Sequence, residues 1–267
     1  MKHIKGFLAT LPLWAKSQFG LTQFEMPTID LSNFVSQPIA ARLRLGHQIE
    51  HIFKQLLDHS ERYTLLAHNI QIKKDKITLG KLDFIVSDRF RESIKIHIEL
   101  TYKFYLIDPT IEVPTHRLIG PNRKDMFYAK MEKTRDQQLP LIFTPEGRTT
   151  LSTLGINPEN LEQQTYFLAQ LFKPYAQQSP SIGPLNKDCI VGYWIRLNDF
   201  NKSHFKELSF YITLKSEWLH EPHLERPFVK HEIALAQINE KHRDRRAPMI
   251  WVKKTDGFLE KCFVVWW

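Results

Sequence analysis

The stretch LGKLDFIVSDRFRESIKIHIELTYKFYL, residues 79–106, predicts two β-strands joined by a polar turn. In the second strand the even positions from Ile94 to Leu106 are all apolar or aromatic, whereas the odd positions include charged and polar residues. This alternation is typical of a strand that buries one face. The first strand carries a lone Asp83 within an apolar run. That carboxylate needs a partner, because burying an unpaired charge is costly.

Elements on either side of this pair of strands follow from periodicity and from breaker residues. Helices are predicted over residues 40–59, 120–140, 158–173 and 231–243. Strands are predicted over residues 62–73, 77–86, 94–106, 139–143, 189–197 and 208–219, with a closing hairpin over 249–267. This order of elements predicts an α/β or α+β fold with a mixed central β-sheet flanked by helices.

A polar segment with two prolines and a glycine, residues 177–188, is the best candidate for a linker. We therefore expect a core region over residues 1–176, which includes an N-terminal extension, and a C-terminal α+β region over residues 189–267. The sequence leaves open whether the second region is a separate domain or an extension of the first.

The composition of the chain is that of an ordinary globular protein. It has 267 residues, of which 42% are hydrophobic and 25% are charged, and a formal net charge of +8. A positive excess favours polyanionic partners such as nucleic acid. Neither of the two cysteines belongs to a CxxC pair, and no window reaches the length of a membrane helix, so we expect a cytoplasmic protein that does not span a membrane.

Candidate site residues lie on the predicted strands and on the helix before them. Glu99, Thr101 and Lys103 project from one face of the second strand, because side chains alternate along a strand. Glu50 lies on the helix over 40–59, beside its apolar stripe. Three carboxylates, Glu50, Asp83 and Glu99, together with Lys103, suit a Mg²⁺ or Mn²⁺ site that activates water for phosphodiester hydrolysis.

Structural alternatives account for each of these charges separately. Glu99 and Lys103 fit a strand with one solvated face, and Glu50 fits an exposed pair with Lys54 at i, i+4. Asp83 fits a buried carboxylate that is hydrogen-bonded to backbone amides or to a neighbouring lysine.

Several runs along the chain resemble the bacterial domain-of-unknown-function family 1853: RLGHQIEHIFKQLL, LLAHNIQI, LGKLDFIV, HIELTYKFYL and GPNRKDMFYAKMEKTRDQQLPL. This family is similar in turn to a remote branch of the PD-(D/E)XK phosphodiesterases, which share the restriction-endonuclease-like fold. That fold places an acid on a helix, an Asp on the next strand, and an acid and a Lys on the strand after it.

The resemblance implies Glu50 as the helix acid, Asp83 as the central metal ligand, Glu99 as the second strand ligand and Lys103 as the strand lysine. It departs from the usual acid-x-Lys spacing, because position 101 is Thr. Lys103 lies two residues further, roughly 6–7 Å along the strand. It also implies nucleic acid as the partner, and a homodimer as the assembly with which such enzymes cut two strands.

Basic residues of the helix predicted over 120–140 provide candidate contacts to a nucleic-acid backbone. They are Arg123, Lys124, Lys130 and Lys133. The first two lie near the predicted helix N-terminus, which favours anions. The alternative is a solvated charged helix face.

Three classes of function therefore compete: a metal-dependent nuclease, a catalytically inactive module of the same fold that binds nucleic acid or a protein partner, and a structural or assembly protein. Thr101 at the usual lysine position favours the second class. The sequence contains no GxSxG motif, no P-loop and no Rossmann glycine fingerprint, so acyl transfer and nucleotide-phosphate cradling lack support.

Overall fold

A computed structural model describes residues 1–40, 42–178 and 180–267 of the chain. The described residues divide into two compact units. Unit 1 comprises Met1–Leu11, Lys103–Tyr128 and Ala169–Trp267, and unit 2 comprises Pro12–Tyr102 and Ala129–Leu168.

The described residues form seven α-helices: α1 (Lys2–Leu8), α2 (Leu45–His59), α3 (Phe127–Lys133), α4 (Pro145–Thr153), α5 (Leu197–Phe200), α6 (Ser203–Lys206) and α7 (His231–Arg243). They also form twelve strands: β1 (Ser17–Gln18), β2 (Leu21–Thr22), β3 (Tyr63–Lys74), β4 (Ile77–Asp88), β5 (Ile94–Ile107), β6 (Leu118–Ile119), β7 (Leu161–Pro174), β8 (Ile190–Arg196), β9 (Ser209–Ile212), β10 (Val229–Lys230), β11 (Met249–Lys253) and β12 (Leu259–Val265). Among the described residues ten strands belong to one mixed β-sheet, which confirms the predicted mixed α/β class.

Unit 2 contains the antiparallel strands β3, β4 and the first part of β5, as the alternating pattern predicts. Helix α2 begins at Leu45, after an extended Arg44, and not at residue 40 as predicted. Ala41, within the predicted helix, lies outside the described residues. The apolar stripe of α2 is buried as predicted, and it consists of Ile49, Ile52, Phe53, Leu56 and Leu57.

Unit 1 contains the C-terminal elements, which the sequence predicts well. The predicted helix over 231–243 is α7, and the predicted closing hairpin is the antiparallel pair β11 and β12. Gly257 has a φ of +85° in the turn, a conformation that glycine adopts without strain. Strand β12 pairs in parallel with β8, and β9 is shorter than the strand predicted over 208–219, because Lys215–Leu219 form a 3₁₀ helix.

The prediction of a helix over residues 158–173 is wrong. Only Pro158–Asn160 are helical, as a 3₁₀ turn, and Leu161–Pro174 form strand β7. Residues 165–172 are all buried, and near its end β7 pairs in parallel with β8. A strand buried on both faces has an almost continuous apolar sequence, which periodicity alone cannot distinguish from a buried helix.

The helix predicted over 120–140 is also shorter than expected. Residues 121–124 form a turn and bend, in which Arg123 has a φ of 55°, and helix α3 begins only at Phe127. The Asn122 side chain does not cap a helix but accepts a hydrogen bond from the Ala247 amide at 2.8 Å. The strand predicted over 139–143 is a 3₁₀ helix, Leu139–Phe143, which follows a π-helical turn, Thr134–Gln138.

The predicted linker, residues 177–188, includes Ser179, which lies outside the described residues. Within its described part, Ile182 and Leu185 are buried, so this segment packs against the protein. The separation into regions 1–176 and 189–267 stays a prediction. Among the described residues, no helix combines the length and the apolar character that crossing a bilayer requires.

The ends of strands β3 and β4 are joined by an ion pair that we expect to stabilise the fold. The guanidinium of Arg62 donates from Nε and Nη2 to the carboxylate of Asp88, whose side chain is fully buried. Hydrogen bonds from Arg62 hold the pKa of Asp88 below its ordinary value. Replacing Asp88 with Ala should therefore lower the free energy of unfolding by about 2 kcal/mol at pH 7.

Chemical denaturation of the Asp88→Ala variant at several pH values measures this contribution. Because the folded pKa of Asp88 is lowered, its contribution exists above the ordinary pKa and is lost as the pH falls through the folded value. The difference from the wild type should thus shrink in acid. Asp58→Ala is the matched control, because Asp58 forms an exposed pair with Lys54 and should change the stability little. A deficit no larger than that of Asp58→Ala would contradict this account.

Candidate functional site

Side chains from three separate segments of unit 2 come together beside strand β4. Helix α2 contributes Glu50, β4 contributes Lys81 and Asp83, and β5 contributes Glu99. Phe84 pairs with Ile98 in the antiparallel register, so Asp83 and Glu99 occupy neighbouring positions on adjacent strands. The structure therefore brings together the three carboxylates that the sequence nominates.

Lys81 lies at the centre of this cluster. Its Nζ donates a hydrogen bond to Glu50 Oε1 at 2.9 Å and lies 3.0 Å from Asp83 Oδ1. Burial opposes the charge of the ammonium, but Asp83 and Glu50 outweigh it and raise the pKa of Lys81. The predicted alternative pair of Glu50 with Lys54 is not formed, because Lys54 pairs with Asp58.

Asp83 is buried, and its second oxygen, Oδ2, accepts a hydrogen bond from the Leu100 amide at 3.1 Å. It thus has the partners that the structural alternative names, a backbone amide and a neighbouring lysine. Burial, and then the negative charge of Glu99, raise the pKa of Asp83 to about 6, against the opposing effect of Lys81. The negative charge of Asp83 is therefore disfavoured at its buried position beside Glu99.

The raised pKa of Asp83 predicts a pH-dependent stability. The folded state binds the proton of Asp83 more tightly than the unfolded state, so the contribution of Asp83 to stability falls as the pH rises from about 4 to about 6. An Asp83→Asn variant cannot titrate. In the presence of a chelator, its melting temperature relative to the wild type should increase across that interval and level off above it.

Thermal unfolding of both proteins between pH 4 and pH 7 tests this trend. Asp75→Asn is the matched control, because Asp75 is exposed in the turn between β3 and β4. The difference in melting temperature between Asp75→Asn and the wild type should not rise between pH 4 and pH 6. A flat difference for Asp83→Asn as well would show that Asp83 does not have a raised pKa.

Glu99 is held by partners on both carboxylate oxygens. Its Oε1 lies 3.1 Å from Nε2 of the fully buried His97, and its Oε2 accepts a hydrogen bond from Gln138 Nε2 at 2.6 Å. The hydroxyl of Thr165 donates to the Glu99 backbone carbonyl at 3.1 Å. Glu99 is 1% exposed, so these contacts fix its orientation beside Asp83.

The π-helical turn Thr134–Gln138 places Gln138 in this arrangement. Gln138 donates to Glu99, and its Oε1 accepts a hydrogen bond from Lys130 Nζ at 2.6 Å. Within the turn, the Thr134 hydroxyl donates to the Lys130 carbonyl. Single π-helical turns often occur at functional sites, where they change the direction of a side chain.

The predicted strand lysine, Lys103, has a different partner. It falls in unit 1, where its ammonium pairs with the carboxylate of Asp125. The hydroxyl of Thr101, at the usual lysine position, is buried and has no hydrogen-bond partner among the residues that the structure describes. The lysine that contacts the carboxylates of the cluster is Lys81.

The four basic residues predicted to contact a nucleic-acid backbone do not share one helix face. Lys130 and Lys133 belong to α3 in unit 2, whereas Arg123 and Lys124 belong to a turn in unit 1. The Arg123 guanidinium lies 4.6 Å from the ring centroid of Trp267. The helix N-terminus predicted beside Arg123 and Lys124 is therefore wrong.

The side chains of this cluster can be compared with the ligands that a hard cation such as Mg²⁺ requires. Among the described residues, no three His, Cys, Asp or Glu side chains are grouped so that they could hold a metal ion together. Asp83 and Glu99 remain as an adjacent pair of carboxylates. Mg²⁺ commonly binds one or two carboxylates and keeps several waters, but each oxygen of this pair already has a partner: Lys81 and the Leu100 amide for Asp83, and His97 and Gln138 for Glu99.

Sequence reasoning nominated the three carboxylates and gave a neighbouring lysine as one alternative partner of Asp83, but it identified neither Lys81 nor His97. One signal was available for both residues. Lys81 lies two positions before Asp83, and His97 lies two positions before Glu99, so each shares a strand face with a carboxylate.

Residues 8–263 match the family described as Domain of unknown function (DUF1853), and the chain belongs to that family. Searches of curated proteins and of solved structures give no significant match. The family part of the sequence-based resemblance is thereby confirmed, and the kinship with PD-(D/E)XK phosphodiesterases stays a prediction.

Proposed function

We propose that this protein is a divalent-metal-dependent phosphodiesterase that cleaves DNA or RNA. The observation that carries the proposal is that Glu50 and Asp83 contact the same ammonium, that of Lys81, while Glu99 lies opposite Asp83 on the adjacent strand. This arrangement follows the order of acids that the PD-(D/E)XK resemblance implies, and we propose that these elements form a restriction-endonuclease-like core.

Asp83 and Glu99 are the proposed ligands of Mg²⁺ or Mn²⁺. The repulsion that helps to raise the pKa of Asp83 supports this choice, because a cation between the two carboxylates would relieve it. Such an ion, when bound, supplies an activated water and neutralises charge on the phosphate. Glu50 would act beside this pair through its contact with Lys81.

Lys81 takes the role that the sequence assigned to Lys103. Its ammonium is fixed by Glu50 and Asp83. A substrate phosphate bound beside Asp83 would place an oxygen near this positive charge. A preorganised cation stabilises charge that develops in the transition state. His97 and Gln138 act as positioning residues, because they orient the carboxylate of Glu99.

Contacts to the nucleic-acid backbone remain part of the proposal. Lys133, Arg123 and Lys124 are exposed and carry charges that can neutralise phosphates. Lys130 donates a hydrogen bond to Gln138, which in turn donates to Glu99. We therefore propose that Lys130 links helix α3 to Glu99 and does not contact phosphate. A homodimer is proposed for cleavage of both strands, since each chain supplies one cluster.

A cleavage assay tests the proposal. Single-stranded and double-stranded DNA and RNA are incubated with the protein in Mn²⁺, in Mg²⁺ and in chelator. We expect cleavage of at least one substrate with either cation and none in chelator, and Asp83→Asn should remove it while Asp75→Asn retains it. Cleavage that persists in Asp83→Asn would point to a contaminating nuclease and contradict the proposal.

A catalytically inactive module that binds nucleic acid or a protein partner is the second candidate. It is favoured by one observation: the Lys81 ammonium already pairs with both Glu50 and Asp83, so the cluster is partly neutralised without an ion. This candidate predicts binding of nucleic acid that weakens steeply with salt, without cleavage in any cation.

A further inference from the structure

Unit 1 contains a cavity whose lining residues lie at 174–177 and 194–204. Its volume is about 370 Å³, which falls within the range of roughly 300–1,000 Å³ typical of small-molecule sites. Tyr175, Trp194, Arg196, Asp199, Lys202 and His204 contribute to its lining. None of these residues belongs to unit 2, which contains the carboxylate cluster.

The aromatic part of the lining is fixed by its surroundings. Tyr175 packs against Tyr193 and Phe205, with ring centroids 5.0 and 5.2 Å apart. Its ring is nearly parallel to that of His204, at an interplanar angle of 10°, and the Tyr175 hydroxyl lies 3.2 Å from His204 Nε2. A planar ligand ring could therefore stack on a preformed surface at little entropic cost.

The polar part of the lining carries both signs of charge. The Arg196 guanidinium lies 5.7 Å from the Trp194 ring centroid, and its Nε donates to the Trp267 carbonyl at 3.3 Å. Among the described residues, Arg196 forms no ion pair with an aspartate or a glutamate side chain. Lys202 pairs with Asp199 at 2.6 Å, on the surface of the same cavity.

We propose that this cavity binds a nucleoside phosphate. Its base stacks on the aromatic surface of Tyr175 and His204, since bases stack on aromatic side chains with little dependence on sequence. The phosphate is held by Arg196 and Lys202, because a planar guanidinium presents paired N–H donors to phosphate oxygens and an ammonium adds a second positive charge. Asp199 accepts a hydrogen bond from a ribose hydroxyl, as acidic side chains do in other nucleotide sites.

Calorimetric titration with adenosine 5′-monophosphate in chelator tests the proposal. We expect saturable binding, with a Kd that rises about tenfold in Arg196→Gln and in Lys202→Gln, because each loses a charged hydrogen bond to phosphate. Lys206→Gln is the matched control: Lys206 lies four residues after Lys202, is exposed and does not line the cavity. Its Kd should equal that of the wild type.

Partial ligands and a short strand complete the experiment. Adenosine and inorganic phosphate should each bind at least about tenfold more weakly than the mononucleotide, because each makes only part of the contacts. Titration with hexaadenylate shows whether the cavity binds a nucleotide within a strand or a free nucleotide. Tighter binding than the mononucleotide, with the same sensitivity to Arg196→Gln, indicates a nucleotide within a strand, whereas binding of the mononucleotide alone indicates a free nucleotide.

Two results would overturn the proposal: no binding of the mononucleotide at millimolar concentration by the folded protein, or binding that Arg196→Gln and Lys202→Gln leave unchanged. Asp83→Asn should bind the mononucleotide like the wild type, since Asp83 belongs to unit 2. A failure of this inference is therefore distinguishable from a failure of the proposed phosphodiesterase activity.

Discussion

Replacing Asp83 with Asn is expected to reduce Mn²⁺-dependent cleavage by roughly a thousandfold or more, which corresponds to about 4 kcal/mol of transition-state stabilisation. Asp83 is the carboxylate that contacts Lys81 and lies beside Glu99, so its loss removes one of the two proposed ligands. An amide keeps the shape of the side chain and can still accept the hydrogen bond from the Leu100 amide.

Steady-state cleavage rates of the wild type, Asp83→Asn and Glu99→Gln measure this effect. Glu99→Gln should lose activity to a similar extent, because its partners His97 and Gln138 keep the side chain in place but its charge is gone. Circular dichroism should show all three proteins folded. Retention of most of the activity by both variants would remove the carboxylate pair from the mechanism.

Replacing Lys81 with Met is expected to lower the cleavage rate by roughly a hundredfold, whereas Lys103→Met should change it by no more than a few-fold. The two lysines differ in their partners. Lys81 contacts Glu50 and Asp83, and Lys103 pairs with Asp125. The matched substitutions therefore compare Lys81, which contacts the carboxylates in the structure, with Lys103, the lysine that the resemblance implies.

Turnover and substrate affinity should be determined separately for both variants. Loss of a transition-state contact lowers kcat, whereas loss of a contact made equally in the ground state raises KM. We expect Lys81→Met to act mainly on kcat. If instead Lys103→Met inactivates the protein and Lys81→Met does not, the strand lysine implied by the resemblance is the correct one.

The part of the fold that the sequence predicts well has a clear period. Helix α2 buries one stripe of its surface, and the residue types of β5 alternate along the strand, so both have a clear period. Strands β4 and β5 are nevertheless buried on both faces at residues 82–86 and 96–99. Strand β7 is also buried on both faces over residues 165–172, but its residue types do not alternate, and its sequence predicts a helix. The apolar run 139–143 is too short to show a period, and the strand predicted there is a 3₁₀ helix.

The residues of the candidate site likewise fall into those that the sequence identifies and those whose contacts depend on tertiary packing. Glu99 and Asp83 were identified because strand alternation and an isolated charge are visible in sequence. The bond of Lys81 with Glu50 joins residues 31 positions apart on a strand and a helix, so it depends on tertiary packing. The contact of Gln138 with Glu99 depends on a π-helical turn, for which the sequence offers no comparable signal.

Binding of Mn²⁺ in solution, measured by calorimetry or by electron paramagnetic resonance at neutral pH, tests the central claim most directly. The account predicts saturable binding by the wild type that is lost in Asp83→Asn and in Glu99→Gln and retained in Asp75→Asn and in Lys103→Met. A folded wild type that binds no Mn²⁺, or that binds it equally well without Asp83 and without Glu99, would contradict the claim that these two carboxylates form a cation site.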